Sequence, residues 1–147
     1  MKWVTRARPK TDRIACPWLI RRFIDTDAEF LYVPPDQVLR TAKTRDARSF
    51  DAPDAEYTHR AGKCTFEVLI EDFELSDNAA LLRLAQIVHA ADIESDLHTD
   101  PAGPGLLAIG VGGLDAEADD HRLLERAQFV YDALYAWCVR DVATQPA

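Results

Sequence analysis

Residues 65–92 run TFEVLIEDFELSDNAALLRLAQIVHAAD, and the spacing of their apolar side chains decides the fold class. Phe66, Leu69, Ile70 and Phe73 recur at the three- and four-residue intervals of a helix face. Leu81, Leu84, Ala85, Val88 and Ala91 repeat the pattern. Thr65 is placed to cap the first helix, and Ser76 or Asp77 the second. So few residues separate them that an antiparallel helical hairpin turning near Leu75 is expected.

Upstream, Trp3-Val4-Thr5 reads as a short strand, and Phe30-Leu31-Tyr32-Val33 as another, stopped by Pro34-Pro35. Arg48-Ser49-Phe50-Asp51 is a third, stopped by Pro53. Pro17 suits the first turn of a helix, where its missing N–H costs nothing. Leu19, Ile20 and Phe23 form that helix's apolar stripe, and residues 36–43 fit a short second helix. Downstream, Pro101, Gly103, Pro104 and Gly105 mark a loop, and residues 105–114 are a short apolar segment expected to be buried. A final helix over about 119–140 has Leu123, Ala127, Val130, Leu134, Trp137 and Cys138 as its core face, with Tyr131 and Tyr135 at the margin. The expectation is one α+β domain over residues 1–147, predominantly helical. A small N-terminal sheet of two or three short strands, its order not legible, precedes a C-terminal helical bundle.

The 147 residues, 48% hydrophobic and 29% charged, suffice for one buried core and exclude wholesale disorder. No apolar run is long enough to cross a bilayer, so no membrane association is expected. Residues 1–10 are basic and polar and carry no secretory h-region. Three widely spaced cysteines argue against a disulfide framework, so a reducing, cytoplasmic location is expected. The net charge of −8 is unevenly spread. Residues 1–63 hold 13 Lys and Arg against 9 Asp and Glu, whereas the remaining residues hold 4 against 16. Nonspecific DNA binding is therefore disfavoured, while a small anion at the basic N-terminal segment stays open.

Two stretches carry candidate chemistry. Cys16, immediately before Pro17, would lie at a helix N-terminus, where the dipole and the neighbouring Arg13 or Arg21 favour a thiolate. The alternative is a cysteine packed beside Trp18. The hairpin would bring Cys64 and Glu67 near His89 and Asp92, with His59 reaching in from the preceding loop. This set suits a divalent transition metal, with zinc or iron the leading candidates, although no short spacing matches a known zinc pattern. The alternative is a histidine satisfied by Glu67. Gly110-Val111-Gly112-Gly113 lacks the context of a phosphate loop and is better explained by close helix packing. Asp119-Asp120-His121 suits a helix cap. The aromatic run Tyr131, Tyr135, Trp137 fits core and interface, which leaves homo-oligomerisation open.

The stretches 2–6 (KWVTR) and 12–25 (DRIACPWLIRRFID) resemble the C-terminal domain of the chromate resistance protein ChrB family. The similarity continues through His59, Cys64-Thr65-Phe66-Glu67, Ile87-Val88-His89-Ala90-Ala91-Asp92, Asp119-Asp120-His121 and residues 131–138. The resemblance implies a role in chromate sensing or detoxification. In that family the domain often follows a winged-helix-like region or joins a rhodanese-like one. Neither accompanies this sequence, so a stand-alone form without direct DNA binding is the expectation. Three functions follow. The first is binding of a divalent metal and/or an oxyanion such as chromate, with Arg13, Arg21 and Arg22 as anion contacts, since guanidinium suits tetrahedral oxyanions. The second is a thiol enzyme using Cys16 for redox or sulfur transfer, and the third an interaction module without a ligand.

Overall fold

Strand β1 (Lys2–Arg6) buries Trp3, Val4 and Thr5 completely, on both of its faces. A strand covered on both sides belongs in the middle of a sheet. It pairs in parallel with β2 (Glu29–Val33) on one edge and β3 (Ala47–Ser49) on the other, in the order β2-β1-β3. The computed structural model describes residues 1–145. Successive side chains of β1 point to opposite faces. Trp3 joins Phe30 and Phe50 in the main core, while Val4 meets Val38, Ala52 and Ala55 in a small second core.

Helix α1 (Asp12–Leu19) links β1 to β2, and α2 (Val38–Thr44) links β2 to β3. Ile14, Ala15 and Trp18 of α1 enter the main core, whereas Val38 of α2 seals the other face. The two crossovers thus lie on opposite sides of the sheet. The carboxyl ends of β1 and β3 flank the point where the winding reverses, the usual place for a ligand crevice in parallel sheets. Helices α3 (Thr65–Asp72) and α4 (Ala79–Asp92) form the expected hairpin, and α4 also packs on α5 (Gly103–Ala116) and α6 (Asp120–Thr144). The molecule is therefore α+β and mostly helical, and among the described residues no helix is long and apolar enough to cross a membrane.

Several expectations need correction. Pro17 is the sixth residue of α1 rather than part of its first turn, because the helix starts at Asp12, with Thr11 in the cap position. Pro17 cannot donate to the Arg13 carbonyl. Shortly after it the helix widens into a π-helical turn over Ile20–Ile24, closed by the Asp25 N–H on the Ile20 carbonyl at 2.7 Å. Cys64, not Thr65, occupies the cap position of α3, and Asn78 caps α4 by accepting the Leu81 N–H at 3.0 Å. The apolar segment 105–114 is not buried. It lies within α5, of which only Gly103 and Leu106 are buried, and Ile109 and Val111 face outward. On α6, Trp137 is about half exposed beside Arg83, while Tyr131 is buried and donates its hydroxyl to the Thr11 carbonyl at 3.2 Å. Close packing does account for Gly110 and Gly113, where a β-carbon would crowd Lys10 and Leu123 respectively.

Candidate functional site

Three carboxylates converge on one imidazole nitrogen at the carboxyl ends of β1 and β3. His59 Nε2 lies 3.1 Å from Asp92, 3.4 Å from Asp12 and 3.4 Å from Asp51. Asp12 opens α1 just after β1, and Asp51 follows β3. Asp92 is the last residue of α4, and His59 comes from the loop between β3 and α3. Two of the backbone turns that deliver these groups are left-handed: Thr11 has φ 47° and Asp51 φ 49°. Such conformations cost energy in non-glycine residues and cluster at functional sites.

The carboxylates differ in how they are satisfied. Asp12, fully buried, accepts the N–H groups of Thr65 at 2.8 Å and Phe66 at 3.0 Å, so it caps α3 from a distant part of the chain. It also accepts the Cys16 thiol at 3.3 Å. Asp51 accepts the Thr65 hydroxyl at 2.8 Å and pairs with Arg6 at 3.5 Å and Arg13 at 3.6 Å. For Asp92, His59 is the charged partner within ion-pair distance. Burial and the neighbouring Asp12 and Asp51 push the Asp92 carboxyl up to about 7. Burial and Asp51 raise Asp12 as well. Burial acts the same way on Asp51, yet the bonds from His59 and Thr65 together with Arg6 outweigh it and hold that carboxyl low. His59 is lifted to about 10 by its bonds to Asp12 and Asp51. Buried like charges in such proximity require a cation among them. Here the imidazolium supplies it, and Asp12, His59 and Asp92 offer donor atoms mutually within 4.8 Å that could hold a metal ion instead.

A second group lies one helical turn away on α4. His89 Nδ1 meets Glu67 Oε1 at 2.5 Å, and its Nε2 meets Asp96 at 2.7 Å. Glu67 also accepts the Cys64 N–H at 3.0 Å, and Cys64, Glu67 and His89 bring their donor atoms within 4.8 Å of one another. The five expected ligands therefore divide. His59 and Asp92 sit with Asp12, while Cys64, Glu67 and His89 sit together at the start of α3. Asp12, Asp51 and Asp96 were absent from the sequence-derived set. Both of the first two lie past the ends of strands legible in the sequence, Asp12 at the start of the helix after β1 and Asp51 two residues beyond β3, but the parallel order that joins them is not legible there.

The remaining candidates are placed as follows. Cys16 is fully buried inside α1, and burial together with Asp12 raises its thiol well above the ordinary range. The thiolate expected of a helix N-terminus has no basis in this geometry. Arg13 faces the carboxylate cluster. Arg21 instead pairs with Glu125 at 2.8 Å and covers the Phe30 ring, and Arg22 pairs with Asp132 at 3.5 Å over Tyr135. Both tie α1 and its π-turn to α6.

Comparison with known proteins agrees with the resemblance noted above. The family model described as ChrB, C-terminal domain, matches residues 3–138. Protein ChrB of Cupriavidus metallidurans is 36% identical over 134 residues, 91% of this chain. The chain spans 40% of the length of that relative. No solved structure matches it. The matched region contains all of β1 but Lys2, all four members of the His59 cluster and all of the His89 cluster, and the chain belongs to the ChrB C-terminal domain family.

Proposed function

We propose that this domain serves the chromate response by holding a divalent transition metal between Asp12, His59 and Asp92. The observation that carries the reading is the convergence of Asp12, Asp51 and Asp92 on His59 at the reversal point of a parallel sheet. One imidazole with carboxylate oxygens suits iron(II), manganese(II) or zinc, and the Cys16 thiol bonded to Asp12 holds that carboxylate in place as an outer partner. Arg6 and Arg13 beside Asp51 favour an additional role, in which an oxyanion such as chromate is met by guanidinium groups at the rim of the metal centre. Bare carboxylates would repel a dianion, so the metal comes first in this scheme.

The test is metal analysis of untagged full chain loaded anaerobically with iron(II), and separately with zinc, followed by removal of loosely held ions. The expected result is an ion retained by the wild type, with Asp92→Asn and His59→Gln each losing one equivalent and keeping the wild-type circular dichroism spectrum. Equal retention in wild type and both variants removes this site, as does failure of the wild type to retain any ion. Chromate binding that requires the loaded metal supports the oxyanion role, and binding that ignores it counts against the ordered scheme.

A further inference from the structure

We infer that Cys64, Glu67 and His89 form a second metal site, distinct from the Asp12–His59–Asp92 cluster and of softer character, fitted to zinc. The donors are one sulfur, one nitrogen and one carboxylate oxygen, mutually within 4.8 Å. Tetrahedral zinc with bonds of about 2.0–2.3 Å separates its ligands by roughly 3.3–3.6 Å. The group therefore closes on an ion with small side-chain shifts and without moving a helix.

Capping and ion pairing alone leave part of this arrangement unexplained. Cysteine is a poor N-cap compared with Ser, Thr, Asp or Asn. At α3 two of the first-turn N–H groups, those of Thr65 and Phe66, are satisfied from elsewhere by Asp12. The sulfur of Cys64 accepts the next N–H, that of Glu67, in a capping box with the Glu67 carboxylate, and it shares one donor group with His89 as well. The far nitrogen of His89 is bonded to Asp96 at 2.7 Å. A carboxylate on the outer imidazole nitrogen is the usual orienting partner of a metal-bound histidine, leaving Nδ1 directed at the ion. Asp96 is in this sense a positioning residue.

The site also has an open side. Glu67, His89, Gln86, Thr99 and Asp100 border a surface depression of about 390 Å³. Three protein donors with access from solvent describe an exchangeable zinc position rather than a closed structural one. The two clusters adjoin: α4 contributes His89 to one and Asp92 to the other, and the start of α3 contributes Cys64 to one and its capped N–H groups to the other.

Cobalt(II) added to the reduced full chain tests the assignment, because a cobalt–thiolate bond gives a near-ultraviolet charge-transfer band that oxygen and nitrogen ligands do not. The band is expected in the wild type, in Asp92→Asn and in Cys16→Ser, and it should bleach when zinc is added. It should vanish in Cys64→Ser, and Asp96→Asn should weaken zinc binding by about 10–100-fold while the band persists at saturating cobalt. Glu67→Gln provides a second variant should Cys64→Ser fail to fold, with weakened zinc binding as the expected outcome. A wild type without the band, or a band that survives Cys64→Ser or disappears in Cys16→Ser, overturns the inference. The proposal for Asp12, His59 and Asp92 stands or falls separately, since its readout is the equivalent lost in Asp92→Asn.

Discussion

Asp12 joins the start of α1 to the start of α3, and truncating it exposes what that link contributes. In Asp12→Ala the N–H groups of Thr65 and Phe66 lose their acceptor in a region without solvent, both residues being fully buried. Each buried donor left unpaired costs about 1–3 kcal/mol. Removing the carboxylate also relieves its repulsion with Asp51, the interaction that together with burial raises the Asp12 carboxyl. The net loss should be about 2–5 kcal/mol, a large part of the ~5–15 kcal/mol that holds an ordinary domain together. Asp12→Asn keeps one side-chain oxygen and should lose less than half as much. Urea unfolding in the presence of a chelator gives the answer, with the midpoint shifting at constant m. In a thermal scan the alanine variant should melt about 4–20 °C lower, on roughly 2–4 °C per kcal/mol for a domain of this size. An alanine variant within about 0.5 kcal/mol of wild type would refute the idea that Asp12 caps α3.

Other substitutions test separate parts of the account. A β-carbon at Gly103 would come within 2.7 Å of the Leu97 carbonyl and 2.8 Å of Ala90, so Gly103→Ala should destabilise by about 1–3 kcal/mol. Gly112 has open space around it inside α5, so Gly112→Ala should stabilise by about 0.4–1 kcal/mol in the same urea assay. All three cysteines are buried free thiols, so fewer than one should react promptly with a disulfide reagent in the native chain and all three after unfolding. Prompt stoichiometric reaction traced to Cys16 would revive the thiol-enzyme reading. The Asp25 carboxyl is held below its ordinary 3.8, first by the Trp3 indole N–H at 3.1 Å and then by the terminal amine. Its contribution is complete above the unfolded value and is lost as pH falls through the lower folded one. Asp25→Asn should therefore flatten the acid limb of a pH–stability curve, and an unchanged limb argues against the bond.

Local pattern alone makes much of this protein legible. The three- and four-residue spacing through Phe66, Leu69, Ile70 and Phe73 and again through Leu81, Leu84 and Val88 is enforced by helix geometry, so the α3–α4 hairpin followed from it. The strands around Trp3 and Phe30 were equally plain. Exposure was harder to judge: residues 105–114 are apolar, yet a helix that meets the body mainly through Gly103, Leu106 and Gly110 leaves Ile109 and Val111 outside. Pro17 misled because a proline's preference for a first turn is statistical, and burial in the core together with the π-turn that follows accommodates it in mid-helix.

The residue types of the candidate site were visible in the sequence, but their grouping was not. Glu67 with His89 follows from the hairpin, since both lie where α3 begins and α4 ends. Asp12, Asp51 and His59 come together only because β1 and β3 are parallel neighbours, with the crossovers through α1 and α2 on opposite faces of the sheet. Strand order is a long-range choice that no local period encodes. It was the tertiary structure that placed these carboxylates around one imidazole, divided a single set of expected ligands into two, and turned Arg21 and Arg22 toward α6 while Arg13 stayed with Asp51.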